Sequence, residues 1–208
     1  METKTLALKI IQGLACSALC LLLLAGCAKP TKVSRLDAGE ARDLSGAWND
    51  TDSQLVSEEM IQDVLTRPWL GEFRGKNGKA PVVVVGEVNN LSHEHINVNT
   101  FVRDMERALI NSGQVQAVAS RQERDIVREE RSDQAMNASA ESAKAMGQET
   151  GADFVLTGSI NTILDVLGST QVRFYQVDLG LIDMTNNRKV WLGQKKIKKL
   201  VERSKLRY

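Results

Sequence analysis

Apolar and polar positions alternate one by one through much of the last third of the chain. In QVRFYQVDLGLI, Arg173, Tyr175, Val177, Leu179 and Leu181 fall on one side of an extended segment. Val172, Phe174, Gln176, Asp178 and Gly180 fall on the other, because successive strand residues point to opposite faces. FVLTGSINTIL precedes this segment across a Gly168-Ser169 turn, and RKVWLGQKKIKK follows it across Asn186-Asn187, a pair suited to the positive backbone angles of a tight hairpin. Three consecutive antiparallel strands are predicted.

Upstream the period lengthens. Val56, Met60 and Val64, with Ile61 and Leu65, recur at helical intervals from about Asp52, and Thr51 with Gln54 has the spacing of a capping box. Arg67-Pro68 ends that helix, since a residue before proline is pushed out of the helical region. GEFRGKNGKA reads as a loop leading to PVVVVGEV, whose four valines form the short apolar run of a buried strand. VNTFVRDMERALINSG is helical, with Phe101, Met105, Ala108 and Leu109 on one face, Asn99 or Thr100 as cap and Gly113 as stop. Gln114 to Ala119 reads as a short strand. Ser120 and Glu123 then form a capping-box pair opening a mostly solvated helix, and Ala138 to Thr150 reads as one more helix that Gly151 stops. Parallel crossovers followed by an antiparallel meander imply an α/β (α+β) fold with a single mixed sheet and flanking helices.

The most apolar stretch lies at the N-terminus. Ile10 to Gly26 is 17 residues long and is broken by Gln12 and Ser17, short of the roughly 20 that a membrane span needs. Lys4 and Lys9 precede it and small residues follow, the layout of a secretory signal peptide over residues 1–26. Leu24, Ala25, Gly26 and Cys27 resemble the lipobox of bacterial lipoproteins, which implies cleavage before Cys27 and lipid on that cysteine. Ala28 stands where an aspartate typically retains lipoproteins in the inner membrane, so the expected destination is the outer membrane, facing the periplasm. Residues 27–43 then form a lipidated N-terminus and tether, being polar and mixed in charge.

That reading changes the chemistry available. Cys16 and Cys20 leave with the signal, and Cys27 carries lipid, so no thiol remains for a disulfide, a metal or catalysis. Removing Lys4, Lys9 and Glu2 leaves 25 basic and 25 acidic residues of the 27 and 26 in the whole chain. A balanced chain gives no electrostatic reason to expect nucleic acid. His93 and His95 in SHEHIN, with Glu94, are too few ligands for a zinc site, and a solvated loop is the simpler reading. GEFRGKN lacks the spacing of a phosphate loop, and GADFVLTGSI has no GxSxG elbow, so no catalytic residue, metal site or cofactor is expected. Lys195, Lys196, Lys198 and Lys199 either dock an acidic partner or an anionic glycan, or guard an edge strand against unwanted pairing; the last reading is preferred.

LSGAWNDTDSQLV, RPWLGEF, PVVVVGEVNN, GADFVLTGSI and FYQVDLGLIDMTNNRKVWLGQKKIKK, in that order, resemble the LpoB-type family of outer-membrane lipoproteins that activate penicillin-binding proteins. The resemblance implies a domain over residues 44–203, similar to the N-terminal domain of TolB, with 204–208 as a tail. It also implies a non-enzymatic role: binding a bifunctional peptidoglycan synthase, a penicillin-binding protein, from a membrane anchor at Cys27. The family's best-known members carry a long proline-rich tether, whereas this chain has three prolines and a short one. An alternative resemblance, through GADFVLTGSI, is to the curli-export subunit, an assembly and secretion lipoprotein. That role requires membrane-spanning hairpins, of which the sequence shows no obvious extra pair.

Overall fold

A computed structural model describes residues 33–37, 40–139, 141–142 and 149–202. The chain divides into two units, Met1–Glu40 and Ala41–Tyr208. The expected signal peptide and Cys27 lie outside the described residues, as does most of the helix expected over Ala138 to Thr150. In the first unit the described residues are exposed, and the Glu40 N–H donates to the Asp37 carbonyl at 3.1 Å.

The second unit is built on one five-stranded mixed sheet. Its strands are β1 (Val82–Asn90), β2 (Gln116–Ala117), β3 (Phe154–Leu167), β4 (Thr170–Asp183) and β5 (Lys189–Glu202), in spatial order β2-β1-β3-β4-β5. β1 pairs in parallel with β2 and β3, while β3, β4 and β5 form an antiparallel meander, as the change of period predicts. Gly168 and Asn187 supply the left-handed conformations of the two connecting turns. The expected strand over Gln114 to Ala119 is only two residues long, because it pairs with β1 alone at the outer edge of the sheet.

The helices are α1 (Asp50–Thr66), α2 (Pro68–Asn77), α3 (Val98–Asn111) and α4 (Arg121–Asn137). α1 packs on α3 and β5, and α3 packs on β1 and β2. Val56, Met60 and Val64 of α1 and Phe101, Met105 and Leu109 of α3 meet Leu156, Ile160, Val177, Leu179 and Leu181 in one core. Gly158, in the GADFVLTGSI phrase, is required by close packing: a Cβ there would lie 2.1 Å from the Asp178 carbonyl oxygen on β4.

Several local expectations are corrected. GEFRGKN is not a loop but the body of α2: Pro68 takes the first helical position, and Gly78, in the left-handed conformation, closes the end. Trp69 and Leu70 bury against the core and Phe73 packs edge-on to Phe154, so tertiary burial overrides the low helix propensity of Gly71 and Gly75. α1 is capped by Asn49 with Asp52, each side chain accepting the other's backbone N–H, and not by Thr51 with Gln54. Asn97, and not Asn99 or Thr100, caps α3. The Ser120–Glu123 capping box forms as expected, and α4 buries no side chain.

Candidate functional site

Alternation gives the sheet one covered and one open face. Tyr175, Val177, Leu179 and Leu181 point toward the helices, and their β5 neighbours on that face are Ile197, Lys195, Gly193 and Trp191. The opposite face of β4 and β5 carries Val172, Phe174, Gln176 and Asp178 beside Leu200, Lys198, Lys196 and Gln194. No helix among the described residues buries a side chain against the β4–β5 part of this face. Leu192 and Leu200 remain mostly exposed there.

The KKIKK lysines are divided by the same rule. Lys195 pairs with Glu59 of α1, and Lys199 reaches Asp52 at 2.6 Å and Asp43 at 2.7 Å. Burial works to lower the Lys199 pKa, but the hydrogen bonds that the ammonium donates to Asp43 and Asp52 outweigh it and raise the pKa. Lys196 and Lys198 point the other way and make no ion pair among the described residues. β5 is an edge strand, where lysine side chains disfavour unwanted pairing. Only Lys196 and Lys198 are also free to meet a partner.

A second cluster ties the start of the unit to the far end of the sheet. Glu94 of SHEHIN is the centre of this cluster. Its carboxylate accepts from the Tyr175 hydroxyl at 2.8 Å, Arg173 Nη1 at 2.6 Å and the Trp48 N–H at 3.2 Å. Burial and the hydrogen bond to Glu94 push the Tyr175 pKa up to about 12. The Trp48 ring stands edge-on to Tyr175, and its Nε1 donates to Ser53 Oγ at 2.7 Å. Gly46 is left-handed, and a Cβ on it would lie 2.2 Å from Val201 Cγ2, so the segment from Asp43 to Trp48 lies tightly against β5. Spacing could not announce these contacts, since Glu94 and Tyr175 are 81 residues apart.

A cleft of about 620 Å³ opens beside Val85, Gly86 and Val88, between α3 and the first turn of α4. Two of its polar side chains, Ser120 and Arg103, hold α4 through Glu123. Ser120 Oγ sits 2.9 Å from the Glu123 carboxylate, and Arg103 pairs with Glu106 at 2.9 Å and with Glu123 at 2.6 Å. Arg103 first, then Ser120, pull the Glu123 pKa down to about 2. These contacts are structural and set up no nucleophile beside a base. Among the described residues no group of three His, Cys, Asp or Glu could hold a metal, and no helix is long and apolar enough to cross a membrane.

The family model described as peptidoglycan-synthase activator LpoB matches residues 52–197, more than two thirds of the chain. The C-terminal domain of LpoB from Escherichia coli is 18% identical, with 71% of this chain and 99% of that chain covered and a TM-score of 0.39. The same domain from Salmonella enterica is 19% identical, covering 64% and 94%, with a TM-score of 0.33. Lipoprotein GNA1162 from Neisseria meningitidis is 17% identical, covering 61% and 88%, with a TM-score of 0.38. No curated protein matches. The family assignment rests on the sequence model, which runs from the first turn of α1 to Ile197 of β5 and so takes in the whole core: the chain belongs to the LpoB family of peptidoglycan-synthase activators.

Proposed function

We propose that this chain is a lipoprotein anchored through Cys27 in the outer membrane, facing the periplasm, where it binds a penicillin-binding protein and switches on its synthase activity. The observation that carries this reading is the family match over residues 52–197, which spans every element that builds the core. The chain performs no bond chemistry in this account. It acts by binding an active conformation of the synthase more tightly than the resting one, because a ligand shifts an equilibrium only through differential affinity. Such a role needs an exposed, specific surface and no catalytic pocket.

The open face of β4 and β5 is the docking surface in this reading. Phe174, Val172 and Leu200 supply apolar contact, and Lys196 and Lys198 supply unneutralised positive charge, so the complementary surface is acidic around an apolar centre. Sixteen residues separate Cys27 from Asp43, a segment that reaches at most about 55 Å when fully extended. The synthase therefore meets this chain near the outer membrane. Solubilising native membranes and capturing the full chain should enrich a bifunctional synthase. Recovery of the lipidated chain without any penicillin-binding protein would overturn the proposal.

A further inference from the structure

The hairpin between β3 and β4 is apolar on both of its faces. Ile163 and Leu167 lie on the open face, 65% and 85% exposed, while Leu164 and Val166 lie on the helix-bearing face, 51% and 49% exposed. From Leu164 to Val172 the single charge is Asp165. A protein partner that docks on a flat surface covers one face of a hairpin. Burying both faces requires a medium that surrounds the tip.

Where the chain joins this unit points to that medium. Asp43 is held by Lys199 and Gly46 lies against Val201, both on the last few residues of β5, opposite Arg173 and Gln171. At about 3.3 Å per residue, these attachment points lie within about 15 Å of the Gly168-Ser169 turn along the strands. The chain from Cys27 to Asp43 reaches at most about 55 Å, which allows the anchor to lie in the same leaflet as the tip. Asp43, where the described chain meets β5, sits at the apolar end of the sheet. β5 also ends here, with Glu202 opposite Thr170.

We propose that the β3–β4 hairpin tip is a second membrane contact, seated in the interface of the lipid leaflet that holds the Cys27 anchor. The contact rests on the reading that Cys27 carries lipid. Interfacial segments bury their apolar side chains about 5–10 Å deep. Asp165 lies three residues, about 10 Å, from Gly168, which places Val166 and Leu167 in the leaflet and Asp165 at the headgroups. The apolar contact fixes the orientation of the sheet on the membrane. This surface is distinct from Lys196 and Lys198, which remain above the lipid.

The test uses the full lipidated chain in vesicles of phosphatidylethanolamine and phosphatidylglycerol. An environment-sensitive fluorophore is placed on Leu167→Cys, with Ile110→Cys on α3 as the control; the lipid on Cys27 leaves one reactive thiol. Emission at position 167 should shift to the blue and become shielded from an aqueous quencher on vesicles, while position 110 stays unchanged. Adding Val166→Ser should lower the immersed fraction by on the order of tenfold. Intact mass spectrometry reads the anchor separately: a chain without lipid refutes the anchor, whereas a lipidated chain with no shift at position 167 refutes the tip contact alone. A shift without vesicles that grows with protein concentration would assign the tip to a second copy. One that appears only on adding a synthase would assign it to the partner. Either result overturns the proposal.

Discussion

Leu156 and Leu164 share one strand and one face, yet Leu156 is 1% exposed and Leu164 is 51% exposed. Alternation is the same at both positions, but Leu156 lies between Val85 of β1 and Leu181 of β4, whereas Leu164 lies past Ile160, the last β3 residue paired with β1, and pairs with β4 alone. The layer above them changes as well. α1 and α3 complete the core over the near part of the sheet, where Leu156, Leu181 and Trp191 lie, and the far part is covered by the segment Asp43–Trp48 and the SHEHIN loop, whose Glu94 binds Tyr175 and Arg173. The apolar pattern therefore continues beyond the helices that could bury it. The near half holds the fold, and the far half is free to serve contacts outside the molecule.

Truncation provides the sharpest way to break this contrast. Leu156→Ala should cost about 2–5 kcal/mol in denaturant unfolding, through lost transfer energy and the cavity left behind. Leu164→Ser, on the same face, should fall within about 0.5 kcal/mol of the parent. Equal costs at the two sites would erase the distinction.

The segment over the far half should give an intermediate effect. Tyr175→Phe removes a hydrogen bond to the Glu94 carboxylate, a contact of the kind that contributes about 1.5–3 kcal/mol. Amide exchange at residues 43–48 should accelerate, while the denaturant dependence of global unfolding keeps its slope. Gly46→Ala should release the same segment, because it combines a left-handed backbone with the clash against Val201.

α4 sharpens the comparison from another side, since it buries nothing and depends on its cap. Ser120→Ala should cost the helix about 1 kcal/mol in helical signal stability, with little change in the unfolding of the core. The folded pKa of Glu123 lies at about 2, below its ordinary value of 4.5. The stabilisation from its ionised form is present above about pH 4.5 and is lost as pH falls toward 2. Circular dichroism should show helix lost across that window, and Glu123→Gln should remove this contribution to the pH dependence.

The strands and the meander were legible because alternation survives in the residues themselves, from Arg173 to Leu181. The Ser120–Glu123 cap was legible because both partners are local. α2 was missed because Gly71, Gly75 and four charges resemble a loop, although Trp69, Leu70 and Phe73 stand at helical spacing and Pro68 suits a first turn. Asn49 and Asp52 carry the same three-residue spacing as the pair chosen in their place. The division of the lysines was present in the alternation of KKIKK, but which pair faces inward depends on the register with Tyr175 and Val177. Glu94 could not be found locally, because its partners come from β4 and from Trp48.

The smallest expected effect on stability belongs to the open face, where Lys196→Glu with Lys198→Glu should leave unfolding unchanged within about 0.5 kcal/mol. The same pair should weaken synthase binding by about tenfold or more, since like charge replaces complementary charge. The most direct test of the activator role is glycan-strand polymerisation by the host's bifunctional synthase, with and without the full chain. The rate should rise with added chain and saturate, and the double lysine variant should need a higher concentration to reach the same rate. A rate that does not respond to the chain at any concentration, with the synthase otherwise active, would contradict the account.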